Sequence, residues 1–346
     1  MKSKYFTLPA SADNLSMAVA VYEPDNLADA VGIVQFVHGM VEHKARYYSL
    51  MEWLTTKGYI CVIHDHRGHG ESVNDSIELG YMGRGGWKAL IEDTKIVGDW
   101  ARAEYGTVGA PDTGAGAGKS RLPYTLFGHS MGSMIVRSYA KRYDNTIDRL
   151  IVCGTPTDNP AKGFGHALAW ILGTFGGWHS RPDLLQNISF KGYNDRFSPE
   201  NQRFVKAWTC SDLKVLEAVH NDPLCSFQFT TNGFYNLYGL MADCYGGRPS
   251  GKDNGKRCGE GPAKCHCCHC VRDRWLVSKP DLPIHFISGA DDPCLHDEAR
   301  FNAAVEFLRN RGYRNVTSKL YPGMRHQILN EKNKTVVWND LLALLR

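Results

Sequence analysis

Apolar positions concentrate in five short, nearly continuous runs: 31–37 (VGIVQFV), 59–65 (YICVIHD), 124–127 (YTLF), 149–153 (RLIVC) and 283–288 (PIHFIS). Such runs suit parallel strands covered on both faces. Between them the spacing changes to a helical one. Tyr47, Leu50, Met51 and Leu54 lie at i, i+3, i+4 and i+7. Trp87, Leu90, Ile91 and Thr94 repeat that spacing, and Val97 and Ala101 continue the stripe. Further helices are predicted near 131–142 and 297–310, and a C-terminal one on Val337, Leu341, Leu342 and Leu345. Strands alternating with helices predict an α/β fold with a mostly parallel central sheet and right-handed crossovers. Residues 5–8 and 17–22 are expected to add an antiparallel edge.

Two regions break this rhythm. Residues 106–121 (GTVGAPDTGAGAGKSR) lack apolar periodicity and read as a surface loop. Residues 154–282 separate two strands by far more than a crossover needs, so they must hold an inserted cap. The predicted organisation is a core, residues 1–153, a cap insertion, 154–275, and a second core segment, 276–346. The cap carries a Cys-rich segment, 244–270.

Composition narrows the class. Hydrophobic residues make up 43% and charged residues 22% of 346 positions, ordinary values that exclude a disordered or fibrous chain. The basic residues behind the net charge of +4 are scattered, not gathered into the concentrated footprint of a nucleic-acid binder. No apolar run approaches the roughly 18 residues of a membrane helix, and no signal-peptide stretch follows the basic N-terminus. A cytoplasmic protein is expected. Of 11 cysteines, Cys244, Cys258, Cys265, Cys267, Cys268 and Cys270 fall in one segment, and the odd total argues against complete pairing.

The chemistry concentrates at Gly128-His129-Ser130-Met131-Gly132. This G-x-S-x-G pattern is weak alone and strong in context, because an apolar strand precedes it and a helical stretch follows. That arrangement forces a serine into a tight, exposed strand-to-helix turn. A serine hydroxyl needs a base held by an acid, and the elbow predicts the chain order Ser, Asp, His. Asp291-Asp292-Pro293 puts carboxylates after the last core strand, and His326 lies in a loop after 316–321. An oxyanion requires two fixed donors. Met131 N–H, next to the nucleophile, is one. Met40 N–H, in the His38-Gly39-Met40 turn, is the candidate for the other, with core filling as the alternative role for that side chain.

His38-Gly39-Met40-Val41-Glu42-His43, Asp65-His66-Arg67-Gly68-His69-Gly70-Glu71-Ser72 and the G-H-S-M-G elbow together resemble the monoglyceride lipase and lysophospholipase branch of the α/β-hydrolases. Arg325-His326-Gln327-Ile328-Leu329-Asn330-Glu331, Asp222-Pro223-Leu224-Cys225 and Thr231-Asn232-Gly233-Phe234 add to the likeness. The resemblance covers nearly the whole chain except 106–121 and about 245–275. It implies an α/β-hydrolase fold and a serine esterase acting on a monoacylglycerol or lysophospholipid. Ser130 is then the nucleophile, His326 the base, Asp292 the orienting acid, and Met40 and Met131 the oxyanion donors. No cofactor is needed for that chemistry. Gln327 departs from a usual glutamate, and Cys294-Leu295 from a common Val-Gly. Two other readings stand beside it. A serine aminopeptidase-type peptidase would need an acidic cap site for a free amine, with Glu217 and Asp222 as suppliers. A non-catalytic module would dock a partner through the Cys-rich segment.

Other patterns carry less. Residues 113–120 nearly spell a phosphate-binding loop, but a strand follows where a helix must open. His64-Asp65-His66-Arg67-Gly68-His69 approaches a zinc-hydrolase pattern, with Gly68 where an aspartate belongs. Cys258, Cys265, His266, Cys267, Cys268, His269 and Cys270 offer ligands for a structural zinc, against a flexible, reduced insertion. In the cap, Phe164, Leu168, Trp170, Ile171, Leu172 and Phe175 leave little polar face on a helix. Phe227, Phe229, Phe234, Tyr235, Leu237, Tyr238 and Leu240 add aromatic bulk. These residues suit an acyl-chain channel or peripheral membrane contact, or simply the core of the cap.

Overall fold

The computed structural model describes residues 1–108, 120–198, 203–247 and 274–346. Eight strands form one sheet in the order β1-β2-β4-β3-β7-β8-β9-β10. They are β1 (Lys2–Pro9), β2 (Ser16–Glu23), β3 (Gly32–Val37), β4 (Tyr59–His64), β7 (Tyr124–His129), β8 (Arg149–Cys153), β9 (Ile284–Gly289) and β10 (Val316–Tyr321). The pairs β1–β2 and β2–β4 are antiparallel. All other neighbours are parallel. The edge predicted from residues 5–8 and 17–22 is therefore present.

The alternation of a strand's side chains divides the core in two. Ile33, Ile60, Val62, Leu126, Leu150 and Val152 enter the apolar cluster on one face. Val34, Phe36, Cys61, Ile63, Phe127, Ile151 and Cys153 enter the cluster on the other. One polar residue interrupts an apolar run without cost. Buried Gln35 accepts from Tyr124 Oη at 2.6 Å and donates to Thr94 O at 3.0 Å, so both ends of its amide are satisfied.

Among the described residues the α-helices are α1 (Tyr48–Thr55), α2 (Gly86–Tyr105), α3 (Met131–Tyr143), α4 (Lys162–Gly176), α5 (Asp183–Phe190), α6 (Leu213–Asn221), α7 (Thr231–Cys244), α8 (Glu298–Arg309) and α9 (Lys334–Leu345). Four of them, α4 to α7, lie between the adjacent strands β8 and β9. The last, α7, is not a detached lid. Phe234, Leu240 and Cys244 sink into the main core, and α7 packs on α2 and α3. Two glycines within α7 permit this close docking. A Cβ on Gly233 would meet Gly80 O at 2.3 Å, and one on Gly239 would meet Trp87 Cδ1 at 2.6 Å.

The expected loop at 106–121 contains a two-residue ladder. Thr107–Val108 (β5) pairs antiparallel with Ser120–Arg121 (β6). Such a short ladder has no room for an apolar period, which is why the pattern did not show it.

Candidate active site

β7 runs straight into α3 through Ser130, whose φ of 56° and ψ of −120° are rarely adopted by a residue with a side chain. The neighbours hold it there. Ser130 N–H donates to Cys153 O at 2.9 Å, and Ser130 O accepts from Ser133 N–H at 2.9 Å. The flanking glycines are sterically required. A Cβ on Gly132 would lie 2.0 Å from Val37 O, and one on Gly128 would lie 2.4 Å from Gly132 O.

The turn after β3 passes directly beside the serine. A Cβ on Gly39 would sit 2.9 Å from Ser130 Cβ. The amides of Met40 and Met131 take no hydrogen-bond acceptor among the described residues, and both residues line one cavity with Ser130. For Met131 this is the orphan donor of a helix's first turn. Val41 follows with a positive φ of 53°, strained for a β-branched residue.

His326 and Asp292 come together from loops after β10 and β9. His326 Nδ1 stands 2.8 Å from Asp292 Oδ2, with both residues buried. A carboxylate accepts, so Nδ1 carries the proton and Nε2 is left as an acceptor. Asp292 is itself fixed: Oδ1 accepts from Cys294 N–H at 2.8 Å, and Oδ2 from Ser288 Oγ at 3.2 Å. The neighbouring carboxylate, Asp291, is exposed. The His326 ring packs against Trp208 at 4.9 Å and His129 at 4.8 Å, and it lines the cavity that Ser130 enters.

Beneath this constellation lies a polar hub that sequence reasoning missed. Glu42 Oε1 accepts from Gly39 N–H, from Tyr47 Oη at 2.9 Å and from His129 Nδ1 at 3.1 Å. Burial pushes the Glu42 carboxyl up, but His129, Arg46 and the Gly39 amide outweigh it and hold the group well below the usual range. Burial pushes His129 down, and Glu42 more than reverses that. The second nitrogen, Nε2, faces His326 O at 3.2 Å. With an acceptor at each end, only the doubly protonated ring satisfies both contacts. Glu42 and His129 are thus an ion pair fastening the Gly39 turn to the elbow and to the histidine loop. Their presence in the H-G-x-x-E-H and G-H-S runs was the available signal.

A second group is purely neutral. His38, His64, His66 and His69 are fully buried, with the rings of His38 and His66 4.1 Å apart. His38 Nδ1–H donates to Gly39 O at 2.8 Å and Nε2 accepts from His66 N–H at 3.0 Å, which fixes the tautomer and props the Gly39 turn. The zinc-like spacing of His64, His66 and His69 does not gather these rings around one ion among the described residues. Burial pushes His64 and His69 each down to about 4, and His38 and His66 well below their ordinary value. These rings stay neutral in the fold but protonate near pH 6.5 once unfolded. Stability is therefore full above about pH 6.5 and is lost progressively as pH falls toward 4, by roughly 1 kcal/mol per ring per pH unit. Denaturant unfolding at pH 7.5 and 5.0 should differ by several kcal/mol. Equal stabilities would contradict the neutral assignment.

The cavity has a volume of about 780 Å³. Its apolar wall includes Met134 from the core and Phe164, Phe190, Leu237, Tyr238 and Met241 from the insertion. The expected aromatic lining is divided: Phe227 also faces the cavity, whereas Phe229, Phe234 and Leu240 belong to the core. On α4, Leu168 and Leu172 pack on the core, but Trp170, Ile171 and Phe175 are exposed. Glu217 and Asp222 do not line the cavity; Glu217 is exposed, and Asp222 Oδ2 is 2.8 Å from His43 Nε2. The proposed zinc ligands Cys258, Cys265, His266, Cys267, Cys268, His269 and Cys270, and the near-phosphate loop at 113–119, lie outside the described residues. Cys244 is a buried free thiol at the end of α7.

Comparison with known proteins agrees with this architecture. The family described as "Serine aminopeptidase, S33" matches residues 28–250, a span that includes β3, the elbow and most of the insertion. The chain belongs to this family. A monoacylglycerol lipase of Mycolicibacterium smegmatis is 26% identical over 167 residues, 48% of this chain and 52% of that protein. Lysophosphatidylserine lipase ABHD12 of Macaca fascicularis is 27% identical over 214 residues, 59% of this chain and 45% of that protein. The matched stretches thus span about half the length of these curated relatives. Among solved structures, a thermostable carboxyl esterase from Bacillus coagulans in complex with glycerol superposes with a TM-score of 0.76 at 23% identity, covering 100% of both chains. The S33 family member described here therefore has the α/β-hydrolase fold.

Proposed function

We propose that this S33 family member hydrolyses carboxylic esters of lipids, a monoacylglycerol or a lysophospholipid, through an acyl-enzyme on Ser130. The observation that carries the reading is the His326 Nδ1–Asp292 Oδ2 contact of 2.8 Å beside a cavity shared by Ser130 and two unpaired amides. In that geometry Asp292 fixes the tautomer and His326 Nε2 accepts the Ser130 proton as Oγ attacks the ester carbonyl. The oxyanion is held by Met40 N–H and Met131 N–H. His326 returns the proton to the departing alcohol. Water then attacks the acyl-enzyme by the same route in reverse, giving the fatty acid and free Ser130.

The names of the two curated relatives support lipid esters as substrates, and the apolar wall suits an acyl chain. An aminopeptidase must neutralise a substrate ammonium with a carboxylate. Of the two carboxylates that line the cavity among the described residues, Glu42 is already bonded three ways and Asp195 is exposed, which favours the ester reading. Six described cysteines are free thiols, in keeping with a reducing, cytoplasmic setting. No helix among the described residues is long and apolar enough to cross a membrane. Phe164 and Val205, 64% and 73% exposed, both also line the cavity, and Phe175 is 84% exposed. These residues support a cap that touches a lipid surface at the cavity mouth.

One substrate panel tests the whole reading. Monoacylglycerols, lysophospholipids, a p-nitrophenyl ester and aminoacyl amides should be offered as monomers and in vesicles, with fluorophosphonate labelling as the active-serine control. Long-chain lipid esters should be turned over, and faster from vesicles. Preferential amide cleavage would replace the reading with a peptidase. No labelling at Ser130 would leave a binding module.

A further inference from the structure

Two of the cations that line the cavity, Lys206 and Arg46, lie beside the reacting groups with no close carboxylate of their own. Lys206 Nζ donates to two neutral carbonyls, Cys225 O at 2.6 Å and Val41 O at 3.3 Å. Among the described residues it forms no ion pair. Arg46 spends one terminal nitrogen on Gln327 Oε1 at 2.6 Å, and its buried Nε takes no hydrogen bond. Its nearest carboxylate oxygen, Glu42 Oε2, stands off at 3.7 Å. Glu42 already answers Tyr47, His129 and the Gly39 amide. Glu42 therefore faces His129, Arg46 and Lys206 together, and Asp222, the other carboxylate acting on Lys206, is taken up by His43 Nε2 at 2.8 Å. Burying an under-compensated cation is costly, and burial accordingly pushes the Lys206 amine down to about 8.

The placement of these cations says what would repay that cost. Val41 follows Met40, the oxyanion donor, and Gln327 follows His326, the group that hands a proton to the departing alcohol. Lys206 and Arg46 thus enter the cavity beside the Gly39 turn and the histidine loop, next to the reacting groups. They differ in chemistry from the apolar wall of Leu237 and Met241, so a polar, charged half of the substrate is the part they suit.

Resting on the ester-hydrolase reading, we propose that Lys206 and Arg46 form an anion subsite that binds a phosphate or carboxylate carried on the alcohol half of the substrate. Such a group would complete the donor sets of both side chains through charge-assisted hydrogen bonds, for which Arg46 offers its fork and Lys206 a point charge.

The test compares three monomeric esters with one short acyl chain: the acylglycerol, the acylglycerol phosphate and the acylglycerate. At least one anionic ester should exceed the neutral one in kcat/KM by about tenfold or more, and the arm that does so tells phosphate from carboxylate. Lys206→Met should cut that ratio about tenfold, Lys206→Arg should keep most of it, and Arg46→Gln should cut it independently. A thermal midpoint for each variant guards against misfolding. Equal rates on all three esters would overturn the subsite. So would a parallel fall on all three in Lys206→Met at an unchanged ratio, because Lys206 would then merely prop Val41. Should no ester be turned over, the ester-hydrolase reading fails separately, and calorimetry with glycerol 3-phosphate and glycerate still reads the subsite. Binding weakened about tenfold by Lys206→Met supports it, and no binding overturns it.

Discussion

Ser130→Ala is expected to lower kcat on a lipid ester by about 10⁴-fold or more while leaving the fold intact. The residual rate over water would come from the oxyanion amides and the binding cavity, neither of which the substitution touches. Stability should hold because Ser130 Oγ makes no hydrogen bond among the described residues, and the unusual backbone is set by the glycines around it. Alanine meets the same conformational cost at a φ of 56° as serine does. The check is a steady-state rate on protein purified free of host esterases, with circular dichroism and a thermal midpoint alongside. Turnover within tenfold of the parent protein would remove Ser130 from the nucleophile's role.

The legible part of the fold was its periodicity. Strands β3, β4, β7 and β8 read as apolar runs because both faces of each are buried, and the elbow read because strand, serine and helix adjoin within a few residues. What stayed hidden depends on partners far apart in the chain. Glu42 and His129 are 87 residues apart, and Arg46 and Gln327 are 281 apart. The motifs mark Glu42, His129 and Gln327 as positions of interest, but which partner each one meets is settled only when the fold brings them near. Lys206 is a sharper case. Nothing in its local sequence marks it as a cavity residue, because it is positioned by carbonyls of Val41 and Cys225, groups that every residue possesses. On α4 the apolar pattern was real, but the same composition serves core packing at Leu168 and solvent exposure at Phe175. A period indicates which residues share a face, not what covers it.

The sequence already favours Asp292 over its neighbour Asp291, and the geometry supplies the physical reason. Asp292→Asn should cost several orders of magnitude in kcat, whereas Asp291→Asn should cost little. The amide that replaces the Asp292 carboxylate presents either a donor or a weaker acceptor to His326 Nδ1. In the donor case it selects the wrong imidazole tautomer, with Nε2 protonated and unable to accept from Ser130. The rest of the site limits relief by rotation. Asp292 Oδ1 accepts Cys294 N–H at 2.8 Å and so must remain an oxygen. The new NH₂ is thereby directed to the Oδ2 position, which faces His326 Nδ1 at 2.8 Å. Two donors would then oppose each other in a buried pair unless the ring changed tautomer. Asp291 has no such role: its side chain is exposed, and only its backbone N–H is fixed, on Met324 O at 3.0 Å. Rates for the two single variants, read with fluorophosphonate labelling, decide the matter. Slow labelling in Asp292→Asn and parental labelling in Asp291→Asn are expected; the opposite pattern would reassign the orienting acid to Asp291.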